Sequence, residues 1–414
     1  MSSLKEFTKN YFKNNGQYVF MSLLIAKICG FVSSIAIVRL ITQKEFGTVT
    51  IVASVFAIFA AFNGFGSAQG LLRFGSLTED GNEKQKLSDH FFYQGFIYQL
   101  ILTLIFFISS FFFVQKYQDI FYLFGFFAFR LIGFYFFNHI QSYFRIYHDN
   151  KSFSAVNNFV NIFGVVLIVA LSYLYGIKGY LAAIALSPFL SLFWYSKCNL
   201  SGLNKVKIYH KDLWNYSFHA VFTGFLSDLL FSLDILLLGF LLNEKEVAHY
   251  KVAIILPSNL TFLALSLLQA DFSKIVQQSK DLSFLRNYIR NYYKFFIPLS
   301  LIIFLLGYLF SKEILTVFFG KMYAEDHWVF VILLSTFLIN ILLRNLYGNL
   351  LSAVGEMKCN TIVSIGSLSI LILFSFLLID KLGTFGMGIS IFVSMIFSGI
   401  LSYYFFKKYL QKLK

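Results

Sequence analysis

Uncharged apolar runs about 20 residues long recur along this chain, and that is the length an α-helix needs to cross a bilayer. They fall at 17–40, 46–70, 91–114, 120–144, 153–175, 179–196, 216–242, 247–270, 293–311, 326–351, 358–379 and 384–406. Backbone in hydrocarbon must satisfy its own hydrogen bonds, so each run is expected as a helix. The predicted fold is an all-α integral membrane protein of about 12 transmembrane helices. The polar stretch Lys197–Asn215, with four lysines, separates six spans from six. This predicts an N-lobe over 1–200, a cytoplasmic linker over 201–215 and a C-lobe over 216–414. The halves also echo one another: Glu45-Phe-Gly-Thr-Val49 follows the first span and Glu246-Val-Ala-His-Tyr250 the seventh.

Composition excludes the commoner alternatives. The chain is 58% hydrophobic and 13% charged, where soluble domains run near 45–50% and 25%. Twelve spans leave only short loops, with no room for a soluble catalytic domain and no large outer loop for enzymatic groups; the chain is expected not to be an enzyme. It has no G-x-x-x-x-G-K-[ST] phosphate loop. Cys29, Cys198 and Cys359 are too scattered for a disulfide framework or a metal site. The first run is too long for a signal-peptide core and lacks a small-residue cleavage site, so it is expected to remain as a span.

The net charge of +14 points to topology rather than nucleic acid, because the basic residues lie in the loops. With the N-terminus inside, 22 Lys and Arg fall in cytoplasmic segments and 8, Lys251 among them, in outer ones. That asymmetry predicts both termini in the cytoplasm. Arg286, Arg290 and Lys294 recur every four residues beside Leu282, Leu285 and Ile289. They predict a basic stripe, either on a helix lying along the membrane surface or on an ordinary connecting helix.

Ionisable residues inside the spans are the functional candidates, since a charge at membrane depth is costly without a partner or water. Lys27 lies deep in the first span and Arg39 at its outer end. Arg130 lies in the fourth, sharing a helical sector with Asn138, Gln141 and Arg145. Arg344 lies in the tenth, with Asn340 and Tyr347 on its expected side. Each half thus places an arginine in its fourth helix, and guanidinium forks suit phosphate oxygens. Asp228 and Asp234 sit in the seventh span, about 120° apart round a helix. Two readings stay open. In one, the cations bind an anionic cargo while an aspartate takes H⁺ or Na⁺ for coupling; in the other, aspartates and arginines pair and hold the lobes together. His219 and His139 are expected to be structural. Gly383-Thr-Phe-Gly-Met-Gly388 is expected to pack helices.

Arg39-Leu-Ile-Thr-Gln-Lys-Glu-Phe-Gly47, Gly64-Phe-Gly-Ser-Ala-Gln-Gly-Leu-Leu-Arg73 and Asp234-Ile-Leu-Leu-Leu-Gly-Phe-Leu-Leu-Asn-Glu-Lys-Glu-Val-Ala-His-Tyr250 resemble the polysaccharide transporter family of the O-antigen flippase (Wzx) type. That family belongs to the multidrug/oligosaccharidyl-lipid/polysaccharide exporter superfamily; near Ala248 it usually has a glycine. The resemblance implies two six-helix lobes around a central cavity, the MATE-like fold. It also implies translocation of undecaprenyl-diphosphate-linked glycan (O-antigen, capsule or related surface polysaccharide) across a bacterial inner membrane. Expected partners are that lipid-linked glycan, membrane lipids, and glycan polymerase and chain-length machinery. No cofactor is expected beyond H⁺ or Na⁺. The rival readings are a drug/cation antiporter of the same superfamily and a membrane-embedded glycan polymerase or ligase.

Overall fold

A computed structural model of the protein describes residues 16–117, 119–198, 213–214, 217–218, 221–222, 225–226, 229 and 232–413. Every regular element among them is helical. Nine segments are long and apolar enough to cross a membrane, so this is a multi-pass membrane protein. Two of the nine contain a pair of expected spans each. Residues 150–198 reverse at Gly176 (φ 58°, ψ −136°), and residues 357–412 reverse at Gly383 (φ 56°, ψ −135°). Only glycine adopts that backbone without steric cost. Three residues on, Gly179 and Gly386 lie against the carbonyls of Leu171 and Leu378, where a β-carbon would overlap them. The same G-x-x-G turn is therefore built at the same place in each half. Gly383 and Gly386, expected as helix-packing residues, make this turn. The expected span 216–242 is described as continuous helix only over Leu233–Leu241, so the count of twelve rests in part on residues outside those described.

Contacts divide the chain into two compact units, one of residues 1–45 and 52–228, the other of residues 46–51 and 229–414. The first unit contains α1 (Gly16–Leu40), most of α2 (Gln43–Ala61), α3 (Ser67–Leu77), α4 (Gly81–Ile108), α5 (Ile120–Ile146) and α6 (Asn150–Leu186). Thr42 caps α2: its hydroxyl accepts from the Glu45 N–H while Glu45 reaches back to the Thr42 N–H at 2.9 Å. Helices α2 and α3 are separated by Asn63–Gly66, in which Gly64, Phe65 and Gly66 are all left-handed. The Gln99 carboxamide accepts the Gly64 N–H at 2.8 Å, so this break inside a span keeps its backbone satisfied. Helix α5 has one enclosed face: Phe124, Phe127, Leu131 and Tyr135 are buried, and the Tyr135 hydroxyl donates to the Phe92 carbonyl at 2.6 Å.

The second unit contains α7 (Leu233–Leu241), α8 (Glu244–Gln277), α9 (Leu282–Leu309), α10 (Ser311–Phe319), α11 (His327–Asn340), α12 (Leu346–Ala353) and α13 (Met357–Lys412). Asn243 caps α8, its carboxamide oxygen accepting from the N–H groups of Lys245 and Glu246. Thr42-Gln-Lys-Glu45 and Asn243-Glu-Lys-Glu246 are thus two copies of one helix-start signal, which explains the echo between the halves. Helix α9 runs unbroken from Leu282 to Leu309. Arg286, Arg290 and Lys294 are exposed on its first turns. They lie on an extension of the ninth span rather than on a separate surface helix. Between α11 and α12 the chain makes a π-helical turn, Ile341–Asn345. The buried Tyr292 hydroxyl of α9 donates to the Ile341 carbonyl at 2.8 Å and anchors that turn.

The exterior confirms the solvent. Leu100, Ile101, Leu104, Ile105 and Ile108 form an exposed stripe along α4. Leaving a Leu or Ile side chain in water rather than burying it forgoes about 1.5–3 kcal/mol. Meanwhile small polar residues pack inside: Ser367, Ser375, Ser390, Ser394, Ser398 and Ser402 of α13 are buried, and the Ser394 hydroxyl donates to the Ser367 carbonyl at 2.7 Å across its hairpin. Apolar outside and small residues between helices is the arrangement of a bilayer protein.

Candidate functional site

In the second unit the polar groups gather around Asp234. It sits in the first turn of α7, fully buried. One carboxylate oxygen accepts from the Ile235 N–H at 2.8 Å and the other from the Tyr250 hydroxyl at 2.9 Å. The Lys251 ammonium lies in electrostatic range of the same carboxylate. A buried carboxylate is tolerated when its oxygens are hydrogen-bonded, as these two are, and Lys251 adds a counter-charge without direct ion-pair contact. The cation in its range is a lysine rather than Arg130 or Arg344, the arginines of the pairing alternative. Nor is Lys251 an outer-loop residue as counted from sequence: it lies inside α8, within a candidate span.

Lys251 opens onto a cavity of about 310 Å³ whose walls also include Ser258, Thr261, Phe337, Asn340 and Asn345. The Asn340 side chain is buried and its Oδ1 has no hydrogen-bond partner; Asn345 Nδ2 is likewise unpartnered. Ser258 and Thr261 donate back to the Ile255 and Ser258 carbonyls beside Pro257, leaving their oxygens able to accept. The π-turn makes this wall. In an α-helix, residues five apart point about 140° away from each other. The wider π-turn, with about 4.4 residues per turn, brings them to within roughly 50°. Asn340 and Asn345 therefore both face the cavity. Arg344 lies outside the cavity wall, with Nη1 3.8 Å from the Met395 sulfur. Arg344 keeps the general side of Asn340 at this spacing, but its head goes to Met395 and not into the cavity.

In the first unit Arg130 packs its guanidinium 4.9 Å from the Phe56 ring centroid and 5.8 Å from that of Phe127, with Tyr180 in electrostatic range. Its Nε is buried without a hydrogen-bond partner. Among the described residues no carboxylate pairs with it. Cation–π contact with two rings offsets part of the cost of holding a cation there. Asn138 lies 3.5 Å from the Asn63 carboxamide, and Gln141 donates to Asn157 at 3.0 Å. Asn157 in turn donates to the Ser22 carbonyl of α1 at 2.9 Å. The polar side of α5 is thus turned toward protein, where Gln141 ties α5 to α6. His139 is buried, 3.2 Å from the Ser88 hydroxyl.

Lys27 and Arg39 are exposed on α1. Asp228, His219 and the expected linker up to residue 212 lie outside the described residues. The structure thus places Asp234 and Asn340 around one pocket region of the second unit, and Arg130, Asn138 and Gln141 along one helix of the first. Sequence reasoning missed Tyr250, Lys251, Ser258, Thr261 and Asn345. For Lys251 a signal existed: the Asn243-x-x-Glu246 cap fixes the helix start, and counting from it puts Lys251 in the second turn.

A family model for polysaccharide biosynthesis proteins matches residues 12–272. The capsular polysaccharide biosynthesis protein CapF of Staphylococcus aureus is 34% identical over 104 residues, a match spanning 25% of this chain and 26% of that protein. Among solved structures, the lipid II flippase MurJ in an inward closed conformation superposes with a TM-score of 0.75 at 14% identity, covering 95% of this chain and 89% of that one. An inward-facing multidrug resistance MATE family transporter of the MOP superfamily superposes with a TM-score of 0.72 at 15% identity, covering 95% and 98%. At such identities the likeness establishes the fold, which is the expected MATE-like arrangement.

Proposed function

The chain belongs to the polysaccharide biosynthesis protein family, and from that premise we propose that it is a flippase for undecaprenyl-diphosphate-linked glycan. It carries the headgroup from the cytoplasmic to the outer leaflet of a bacterial inner membrane while the lipid tail stays in the bilayer. Two six-helix lobes, 1–200 and 216–414, alternate access, joined by a cytoplasmic linker over 201–215, with both termini in the cytoplasm. Glycan polymerase and chain-length machinery take the product.

The observation that carries this reading is Arg130. A guanidinium held within a span, with an unpartnered buried Nε and the rings of Phe56 and Phe127 beside it, is costly unless an anion visits it. A diphosphate supplies the oxygens that a guanidinium fork takes best. Lys27, Arg39 and Arg344 act with it on the headgroup. Export of a negative headgroup against an inside-negative potential is downhill by about 2.3 kcal/mol per charge per 100 mV, so the potential itself drives the step. Asp234, which accepts from the Tyr250 hydroxyl, is the carboxylate at which any H⁺ or Na⁺ coupling would act. The fold is shared with a multidrug transporter, but cations within the spans repel cationic drugs.

The test is lipid extraction and mass spectrometry on a strain lacking this gene beside one carrying it. Accumulated undecaprenyl-diphosphate-linked repeat units together with lost surface glycan support the reading and identify the cargo. Unchanged lipid intermediates with intact surface glycan sink it in favour of drug export.

A further inference from the structure

Resting on that reading, we propose that the α8–α11 cavity of the second unit is a sugar subsite, which holds one uncharged, hydroxyl- or acetamido-bearing ring of the glycan. Three observations carry this. The first is size: about 310 Å³ is at the small end of ligand pockets, room for a ring but not for a whole repeat unit. The second is the pair of carboxamides. Asn340 is 1% exposed, and its Oδ1 and the Nδ2 of Asn345 are both unpartnered. A buried polar atom without a partner is costly; an acceptor and a donor on one wall match a sugar hydroxyl or an acetamido group, each of which both donates and accepts. The hydroxyl oxygens of Ser258 and Thr261 add acceptors, and the buried Phe337 gives an apolar surface for the C–H face of a ring.

The third observation is charge. Lys251 is the cation on the wall, and Asp234, next in the chain to the wall residue Ile235, places a negative charge in its range. The site is therefore electrically balanced. A phosphate gains no net attraction there, and a metal cation meets an ammonium already in place. A neutral polyol loses nothing by that balance and gains donors from Lys251. The π-turn that brings Asn340 and Asn345 together is the kind of local helix irregularity that recurs at functional sites.

The test uses the full chain in lipid nanodiscs. The probe is the glycan released by mild acid from the lipid pool of the deletion strain and labelled with a fluorophore; inorganic pyrophosphate is the second probe. The wild-type chain is expected to bind the glycan, with Asn340→Leu and Asn345→Leu each weakening it at least tenfold and leaving pyrophosphate affinity unchanged. Ser258→Ala, a smaller change on the same wall, weakens it by a few-fold and guards against a folding defect in the Leu variants. Glycan affinity unchanged in all three variants overturns the subsite, as does loss confined to pyrophosphate. If the pool accumulates but these binding results fail, only the subsite falls. If no pool accumulates, the flippase reading falls and the subsite with it.

Discussion

Buried Asp234 and its counter-charge Lys251 yield the sharpest energetic expectation. Asp234 is fully buried and accepts from Tyr250 and from the Ile235 N–H, with Lys251 as its counter-charge. Asp234→Asn keeps the shape and an acceptor for Tyr250 but strands the ammonium; Lys251→Met keeps the volume but strands the carboxylate. Breaking a buried pair from one side costs about 3–5 kcal/mol. For a unit of this size each kcal/mol moves Tm by about 2–4 °C, so each single variant should fall by roughly 6–20 °C. Replacing both partners by similar uncharged groups is often near neutral. The double variant should therefore lose less than either single, which makes the coupling at least one single's loss, about 3–5 kcal/mol. The assay is intrinsic-fluorescence thermal unfolding in detergent, where Trp328 reports on the second unit. A double variant whose loss equals the sum of the singles within about 0.5 kcal/mol would refute the pairing.

Four further outcomes are expected. Gly176→Ala and Gly383→Ala meet no steric obstacle, since no atom lies within 4 Å of the added carbon. Their positive φ should still cost about 1–3 kcal/mol each, while Gly81→Ala, equally open but at the start of a helix, should be near neutral in the same unfolding assay. Tyr292→Phe removes the hydroxyl that anchors the π-turn and should cost about 1–3 kcal/mol; unchanged stability would remove Tyr292 as the turn's anchor. A cysteine at Lys116 should label with an impermeant reagent from outside and one at Lys207 should not; the reverse overturns the topology. Asp281 caps α9, and hydrogen bonds from the Phe284 N–H and the Ser283 hydroxyl hold its carboxyl below the usual range. Its contribution is present above the unfolded pKa of about 3.9 and lost as pH falls through the lower folded value. Amide exchange at residues 283–285, corrected for intrinsic rate, should accelerate only below that pH. Protection unchanged in Asp281→Ala would count against the cap.

The sequence by itself determined the solvent and the repeat. Apolar runs of bilayer length can only be satisfied as helices in lipid, so the all-α multi-pass fold was legible without coordinates. The capping pattern at Thr42 and Asn243 and the two G-x-x-G turns are local chemistry, fixed by a side chain three residues from a backbone N–H or by a φ that only glycine adopts easily. The candidate site was legible only in outline. Asp234 and Asn340 were recognisable as polar residues in apolar runs, but their partners were not. Lys251 was counted as a loop cation because charge alone does not reveal that a buried carboxylate waits beside it. Asn345 was missed because sequence reasoning assigns every helix the same 3.6-residue turn. One π-turn, anchored from another helix by Tyr292, turns Asn345 toward Asn340, while the Arg344 head packs against Met395. That register is decided by packing between helices distant in the chain, so only the tertiary structure could supply it.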